Sequence, residues 1–360
     1  MKRILLLTDS LGAGGAQRQL VGLAVMLKNK GYKVKVVSYL NHSFYEGILI
    51  DNNVNFECLN IDSKLCLPKL VKKIGKYKPD VIISYQTIPN ILACLASIIT
   101  HVKLIVSERN THQTLGLNDK IAFSLYRFAD YIVPNSYSEQ KFITDNYKNL
   151  SSRTITISNF VDLKQFHPLY THKSNQILHI LVVASVKASK NTKNFIYAYK
   201  KAKDKGCNAI VEWYGINPKE TEIPEYACYT QECVSLIENL GLENKIRLLP
   251  KRKDIDIVYR NADIFCLPSY FEGTPNVICE AMASGLPIIA SNVCDNAYYV
   301  HYGQNGLLFN PNDIDDIANK IIAISTMDND TLREFGNKSR CIAEQLCSEK
   351  TFIDKYIKIT

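Results

Sequence analysis

The chain has 360 residues, of which 46% are hydrophobic and 22% charged, and it carries eleven cysteines. That length points to two domains of ordinary globular composition. The cysteines form no C-x-x-C pair, which excludes thioredoxin-like and zinc-ribbon chemistry and leaves reduced thiols acting as small core hydrophobes, as in a cytosolic protein.

The net charge of +8 is unevenly spread, with 21 Lys/Arg against 12 Asp/Glu in residues 1–170 and 22 against 23 in residues 171–360. Such asymmetry concerns partners rather than fold. The basic residues are dispersed and match no nucleic-acid module, so an anionic lipid surface or an acidic acceptor fits the first half better than nucleic acid. "MKRILLLTDS" has too short an apolar run for an export signal, and "ILACLASIIT" is about half the length needed to cross a bilayer.

In chain order, "RILLLT" is a continuous apolar run of the kind found in buried parallel strands. Leu20, Leu23, Ala24 and Leu27 then mark one face of a helix that Gly31 ends, and "KVKVVSY" returns as a strand, completing a βαβ unit. "DVIISY", "KLIVSE" and "YIVPNS" supply further strands, with helical patterns around 67–77, 90–99 and 119–129. The polar stretch "HPLYTHKSN" marks a boundary near 167–176. A second series follows: strands at "ILHILVVAS", "AIVEWYG", "KIRLLP", "IFCLPS" and "PIIAS", and helices over 191–205, 231–240, 254–261 and 276–284. The pattern predicts an α/β protein of two doubly wound parallel sheets: a domain over 1–168, another over 175–340, and a carboxy-terminal helix in 341–360 packing back on the first. Ligands of such sheets bind at the carboxyl ends of the strands, so two facing sheets would place a site in the cleft between them.

Three loops after strands carry candidate chemistry. "SLGAGGAQRQL" places Gly12, Gly14 and Gly15 before a helix, either to let a phosphate approach the helix N-terminus or simply to make a tight turn. It is not a dinucleotide fingerprint, because Gln17 stands where the third glycine belongs. "VVASVKASKN" places Lys187 and Lys190 in a strand-to-helix loop, where they could neutralise a diphosphate or merely sit in solvent. "SYFEGTPNVICEAMASGLPIIAS" holds Glu272 just before a helix starting near Pro275 or Asn276, and Glu280 inside it. The amides of Asn276 and Val277 are then helix-start donors flanked by two carboxylates, an arrangement suited to a sugar nucleotide. Glu280 could instead be a salt-bridged surface residue. The Asp-x-Asp pairs Asp254–Asp256 and Asp313–Asp315 precede helices, where caps and first-turn charges explain them without a metal.

Taken together these residues resemble a retaining glycosyltransferase of family four, with the GT-B fold of two facing Rossmann-like domains. The hallmark is the Glu272–Glu280 pair within "FEGTPNVICEAMASGLPIIAS", supported by "GAGGAQRQLVGLAVMLKNKGYKV", "NFVDLKQFHP", "NADIFCLPS" and "GQNGLLFNPND". Phe160 replaces the usual glycine of the interdomain segment. The resemblance implies a donor site of Gly14, Gly15, Lys187, Lys190, Glu272, Gly273, Thr274, Asn276, Val277 and Glu280. In it Glu280 holds the ribose, Glu272 the transferred sugar and Lys190 the leaving diphosphate. Lys187 matches a family variant that lacks the usual arginine. Glu108 and Arg109 in "VSERN" would face the acceptor, and the catalytic set would be Lys190, Glu272 and Glu108. The substrate would be a UDP- or GDP-sugar with no cofactor and no metal. The acceptor would be lipid-linked or a glycan in cell-surface polysaccharide synthesis, such as lipopolysaccharide, at the cytoplasmic face of an anionic membrane. "LPKLVKKIGKYKP", five lysines beside apolar residues, supports the membrane part. The alternatives are a Rossmann-type nucleotide-sugar epimerase or oxidoreductase, and a non-catalytic partner of a related transferase.

Overall fold

The computed structural model describes residues 1–60, 63–112, 114–169, 177–216 and 222–360, with side chains left out at 63–65. The chain forms two compact units, Met1–Phe160 with Glu349–Thr360, and Val161–Ser348.

In the first unit β1 (Arg3–Thr8), β2 (Lys33–Ser38), β3 (Asn55–Cys58), β4 (Val81–Tyr85), β5 (Lys103–Glu108) and β6 (Tyr131–Pro134) form one sheet in the order β3-β2-β1-β4-β5-β6. All five pairings are parallel; Ile4 aligns with Val34 on one side and Val81 on the other. Residues 4–7 of β1 are all apolar because both faces are covered. Ile4 and Leu6 enter one core with Leu20, Leu23 and Leu27 of helix Gly15–Asn29, and Leu5 and Leu7 enter another with Leu70, Ile74, Ala93 and Cys94.

The second unit repeats the plan. Strands β7 (Leu178–Val183), β8 (Ala209–Ile216), β9 (Ile246–Pro250), β10 (Ile264–Leu267), β11 (Ile288–Ser291) and β12 (Gly306–Phe309) take the order β12-β11-β10-β7-β8-β9. In each sheet the first strand lies between the second and the fourth, so the winding reverses beside it.

Three expectations change. The units divide at Phe160 and Val161, ahead of the polar stretch at 167–176, because Val161 and Phe166 already belong to the second core. Residues 170–176 of that stretch lie outside the described residues. The segment 341–360 is not one element. Residues 341–346 finish helix Asn329–Leu346, whose Ile342 and Ala343 pack in the second core, and only Glu349–Thr360 joins the first unit. The helix read at 231–240 starts earlier, as Pro224–Asn239, with Pro224 in its first turn.

Helix Glu349–Ile359 is fastened at both ends of its apolar face. Phe352 lies 5.0 Å from the ring of Phe160, and Tyr356 exchanges a 2.8 Å hydrogen bond with the hydroxyl of Tyr85. Phe160 is itself held by Gln19, which donates to its carbonyl at 2.9 Å and accepts from its amide at 3.0 Å. Its ring fills the space over Gly22, where an added Cβ would sit 2.2 Å from Cζ. Phe160, the departure from the family segment, is thus a core plug matched by a missing side chain in the first helix. Gly22→Ala should cost about 1–3 kcal/mol by overpacking. Adding Phe160→Leu should recover part of that loss in chemical denaturation; equal stability of the single variant and the parent would show that the ring is not confined there.

Candidate active site

In open parallel sheets the crevice for a ligand opens at the carboxyl ends of the strands, where the winding reverses. In the second unit that point lies between β7 and β10, and the loops following these two strands carry Lys187, Lys190, Glu272, Gly273 and Thr274. The loops are stitched together. Tyr270 N–H donates to Ser189 O at 3.0 Å, and Lys190 Nζ donates to Glu272 Oε1 at 2.6 Å. Both charged side chains are largely shielded, at 25% and 12% exposure. A cation and a carboxylate share one small space, ready for an anionic oxygen and for hydroxyl donors respectively.

The loop after β7 is shaped by Asn191, which takes a left-handed φ of 60° tolerated by Asn and holds Pro311 O through Nδ2 at 2.8 Å. This turn separates the short 3₁₀ turn Ala188–Lys190 from helix Thr192–Asp204 and leaves Lys190 at the crevice. Lys187 is directed differently: its ammonium lies 4.2 Å from the ring centroid of Tyr226 on helix Pro224–Asn239. The two lysines expected to act as a pair are therefore distinct, and Lys187 holds a cation–π contact worth about 0.5–1 kcal/mol where exposed.

Helix Asn276–Ala283 starts one residue after Pro275, which occupies the N-cap position. The amide of Asn276 is engaged, donating to Thr274 O at 2.8 Å, which corrects its reading as an open donor. Val277 lies in the same first turn, where amides have no carbonyl four residues back within the helix. Glu280 is buried at 6% exposure among Ile278, Cys279, Ala281 and Met282, and receives the Tyr259 hydroxyl at 3.3 Å. It is not a surface residue. The helix is braced from behind. Arg340 Nη1 donates to Ala283 O at 2.6 Å and Phe166 O at 2.9 Å, placing a cation at the helix C-terminus. Gly336 lets its helix approach until an added Cβ would stand 2.2 Å from Gly285 O.

A cavity of about 300 Å³ lies at the ends of β7, β8 and β9, lined by Ser185 after β7, Tyr214 and Gly215 of β8, Lys251 and Arg252 after β9, and Ile255. Gly215 is required because a Cβ there would lie 1.7 Å from Ala184 O. Ile255 precedes Tyr259 by one turn of helix Ile255–Asn261, so this helix links the cavity to the Glu280 hydroxyl donor. The sequence reading missed the cavity; its signal is a glycine closing the apolar run "AIVEWYG". The Asp-x-Asp residues are occupied: Asp254 pairs with Arg252, Asp256 with Arg260 at 2.6 Å, and Asp315 with Lys201 at 2.7 Å, while Asp313 caps its helix through the amides of Asp315 and Asp316. Asp254, expected to cap its helix, makes no side-chain cap.

Comparison with known proteins also divides the chain in two, between residues 165 and 171. Residues 13–165 match the family model described as Glycosyltransferase Family 4, and residues 171–341 that of Glycosyl transferases group 1. The chain is built of a family 4 and a group 1 glycosyltransferase domain. It is similar to a Haemophilus influenzae protein described as an uncharacterized glycosyltransferase, at 23% identity over 97% of this chain and 98% of that one. A local match of 37% identity covers 24% of this chain and 22% of an Escherichia coli UDP-Gal:α-D-GlcNAc-diphosphoundecaprenol α-1,3-galactosyltransferase. Among solved structures, HepE of Anabaena in complex with UDP and glucose aligns over 99% of both chains, with a TM-score of 0.82 at 20% identity. The GT-B fold expected from the motifs is the fold of this glycosyltransferase.

In its first unit the expected site residues fare differently. Gly15 opens helix Gly15–Asn29 and Gly14 is its N-cap. Neither uses a positive φ, so the glycines serve space rather than backbone handedness. At Gly14 the space belongs to Gln17: a Cβ would stand 2.1 Å from Gln17 Oε1, while Gln17 Nε2 donates to Asp9 Oδ1 at 2.9 Å. Glu108 is 1% exposed and already engaged, by the Tyr126 hydroxyl at 2.6 Å and the Arg109 amide at 3.2 Å. Arg109 stacks on Tyr85 and donates to Asn159 and the Tyr356 hydroxyl. The polar atoms of both residues, expected on the acceptor side, tie β5 to the segments packed against it.

Behind Glu108 sits His112, which the sequence reading passed over. Its Nδ1 lies 2.8 Å from Glu139 and its Nε2 3.4 Å from Asp119. Burial alone would lower its pKa, but the hydrogen bond and charge of Glu139, with Glu108 and Asp119 nearby, carry it up to about 9. A histidine raised in the folded state stabilises fully below its unfolded pKa of about 6.5, and this contribution fades as pH rises through the folded value. The stability gap between the parent and His112→Gln should therefore narrow from pH 6.5 to 9.5 in thermal denaturation. A constant gap would mean that His112 is neutral in the fold.

Proposed function

We propose that this glycosyltransferase moves a sugar from a UDP- or GDP-sugar to a lipid-linked or glycan acceptor of cell-surface polysaccharide, with retention at the anomeric carbon and without a metal. The observation that carries the reading is the meeting of Lys190 and Glu272 at 2.6 Å beside the strand reversal, with Glu280 buried on the adjoining helix. In this assignment the carboxylate of Glu280 accepts from the ribose hydroxyls, and Glu272 accepts from hydroxyls of the transferred sugar. Gly273, Thr274 and the Val277 amide border the phosphates and sugar. Lys190 stabilises the charge that grows on the diphosphate as its bond to the sugar breaks. The acceptor hydroxyl bonds to the anomeric carbon from the same face, and its proton passes to the departing phosphate. The UDP and glucose held by the Anabaena relative and the polyprenyl-linked acceptor of the Escherichia coli relative support the donor and acceptor classes.

No helix among the described residues is long and apolar enough to cross a membrane. We place the enzyme in the cytoplasm, working on an acceptor at the inner membrane face. The epimerase or oxidoreductase alternative is not favoured, since both family models are those of glycosyltransferases.

Calorimetric titration with UDP and GDP tests the donor site. Glu280→Gln should weaken nucleotide binding by about tenfold or more, the loss of about one charge-assisted hydrogen bond. Unchanged affinity would remove Glu280 from the site. Lys190→Ala should lower turnover on the order of 10²–10³. Excess EDTA should leave turnover intact; a loss restored by manganese would overturn the metal-free mechanism.

A further inference from the structure

Helix Thr87–Thr100 packs one side on the first sheet through Asn90, Ala93, Cys94, Ala96 and Ser97, all buried. Its outward side carries Ile88, Ile98 and Ile99, flanked by the half-buried Ile91, Leu92 and Leu95, of which Ile91 and Leu92 also pack against the core. Ile88, Ile98 and Ile99 are 36%, 40% and 57% exposed, and the other three are half-buried. A predominantly apolar helix ordinarily lies inside a protein. Here three of its isoleucines meet solvent.

The neighbours extend the surface. Helix Leu117–Leu125 packs against one flank and continues into the turn Tyr126–Phe128; together they present Leu117, Ile121 and Phe128, with Leu117 75% exposed. Lys120 and Arg127 border this strip and are exposed. Helix Ser63–Tyr77 packs against the other flank and shows Lys69, Lys72 and Lys76 on its exposed side, at i, i+3 and i+7. The three elements contain one acidic residue, Asp119, which is turned toward His112 and the Gly116 amide.

We infer that this three-helix face is the surface by which the enzyme lies on an anionic phospholipid bilayer, with the Ile/Leu ridge entering the headgroup–acyl boundary and the lysines meeting lipid phosphates. The charge decides the occupant. A second copy docked through the same patch would set one cationic rim against another, whereas an anionic bilayer complements the rim and accepts the ridge. A surface-lying helix buries its apolar side by about 5–10 Å, which single Ile and Leu side chains reach without a span. The inference deepens the lipid-linked acceptor of the proposed function, and it is measured separately from nucleotide binding.

The test is co-sedimentation of the full chain with vesicles of phosphatidylglycerol and phosphatidylcholine, and of phosphatidylcholine alone. The parent should bind the anionic vesicles at least about tenfold more tightly, and lose that preference in high salt. Replacing Lys69, Lys72 and Lys76 by Gln should weaken binding by about a hundredfold. Ile99→Glu with Leu117→Glu, at exposed positions, should weaken it by about tenfold or more while UDP or GDP affinity is unchanged. Absence of binding to anionic vesicles, or equal binding by the Glu variant, would overturn the inference. So would a dimer in sedimentation that the same variant dissolves. Loss of nucleotide binding in the parent with vesicle binding intact would instead count against the donor-site reading alone.

Discussion

A strand that is first in sequence but internal in its sheet constrains everything else. The chain must wind outward on one side of it and then begin again on the other, and the helices cannot cover the gap where the two directions part. Both sheets obey this constraint, at β1 against β4 and at β7 against β10. In the second unit the gap brings residues 82 positions apart into one ion pair. The same gap in the first unit is spanned by Thr8 donating to Gln86, a residue at φ 79° that turns β4 into its helix.

Around the second gap, carboxylates and lysines are held by groups that themselves have few options. Glu280 is positioned because its helix is closed at one end by Pro275 and clamped at the other by Arg340, and because Gly336 removes the side chain that would hold that clamp away. The first unit uses the same currency differently. Glu108, Tyr126, Asn90 and Ser107 form a closed chain of hydrogen bonds beneath β5, and burial raises the carboxyl of Glu108 above its usual range despite the Tyr126 hydroxyl.

The sequence announced the two sheets because the middle of a strand buried on both faces is apolar at successive positions, as in "ILLL" and "IFCL". It did not announce β3, "NFEC", an edge strand with one partner and only half-buried side chains. The donor-side residues were legible where a charge sat in an apolar run, as Glu280 does. Loop charges were not: Lys187 and Lys190 look alike in "VKASK", and their partners Tyr226 and Glu272, far along the chain, separate them. "VSERN" misled for a related reason. A carboxylate after a strand fits a site or a buried network equally, and the deciding partners, Tyr126 and Tyr356, lie 18 and 247 residues from the charges they engage. The division at Phe160 and Val161 was not legible, because it is set by where packing changes hands and not by polarity along the chain.

The helix Glu349–Ile359 bears on how the protein is made. It completes the core of the first unit, yet it is synthesised after all of the second. While a ribosome is still producing residues 161–348, Tyr85 and Arg109 lack the Tyr356 hydroxyl, and the ring of Phe160 lacks Phe352. The second unit can close in the order its residues emerge. The first keeps the apolar surface that Phe352, Ile353, Tyr356 and Ile359 cover uncovered until this helix is made.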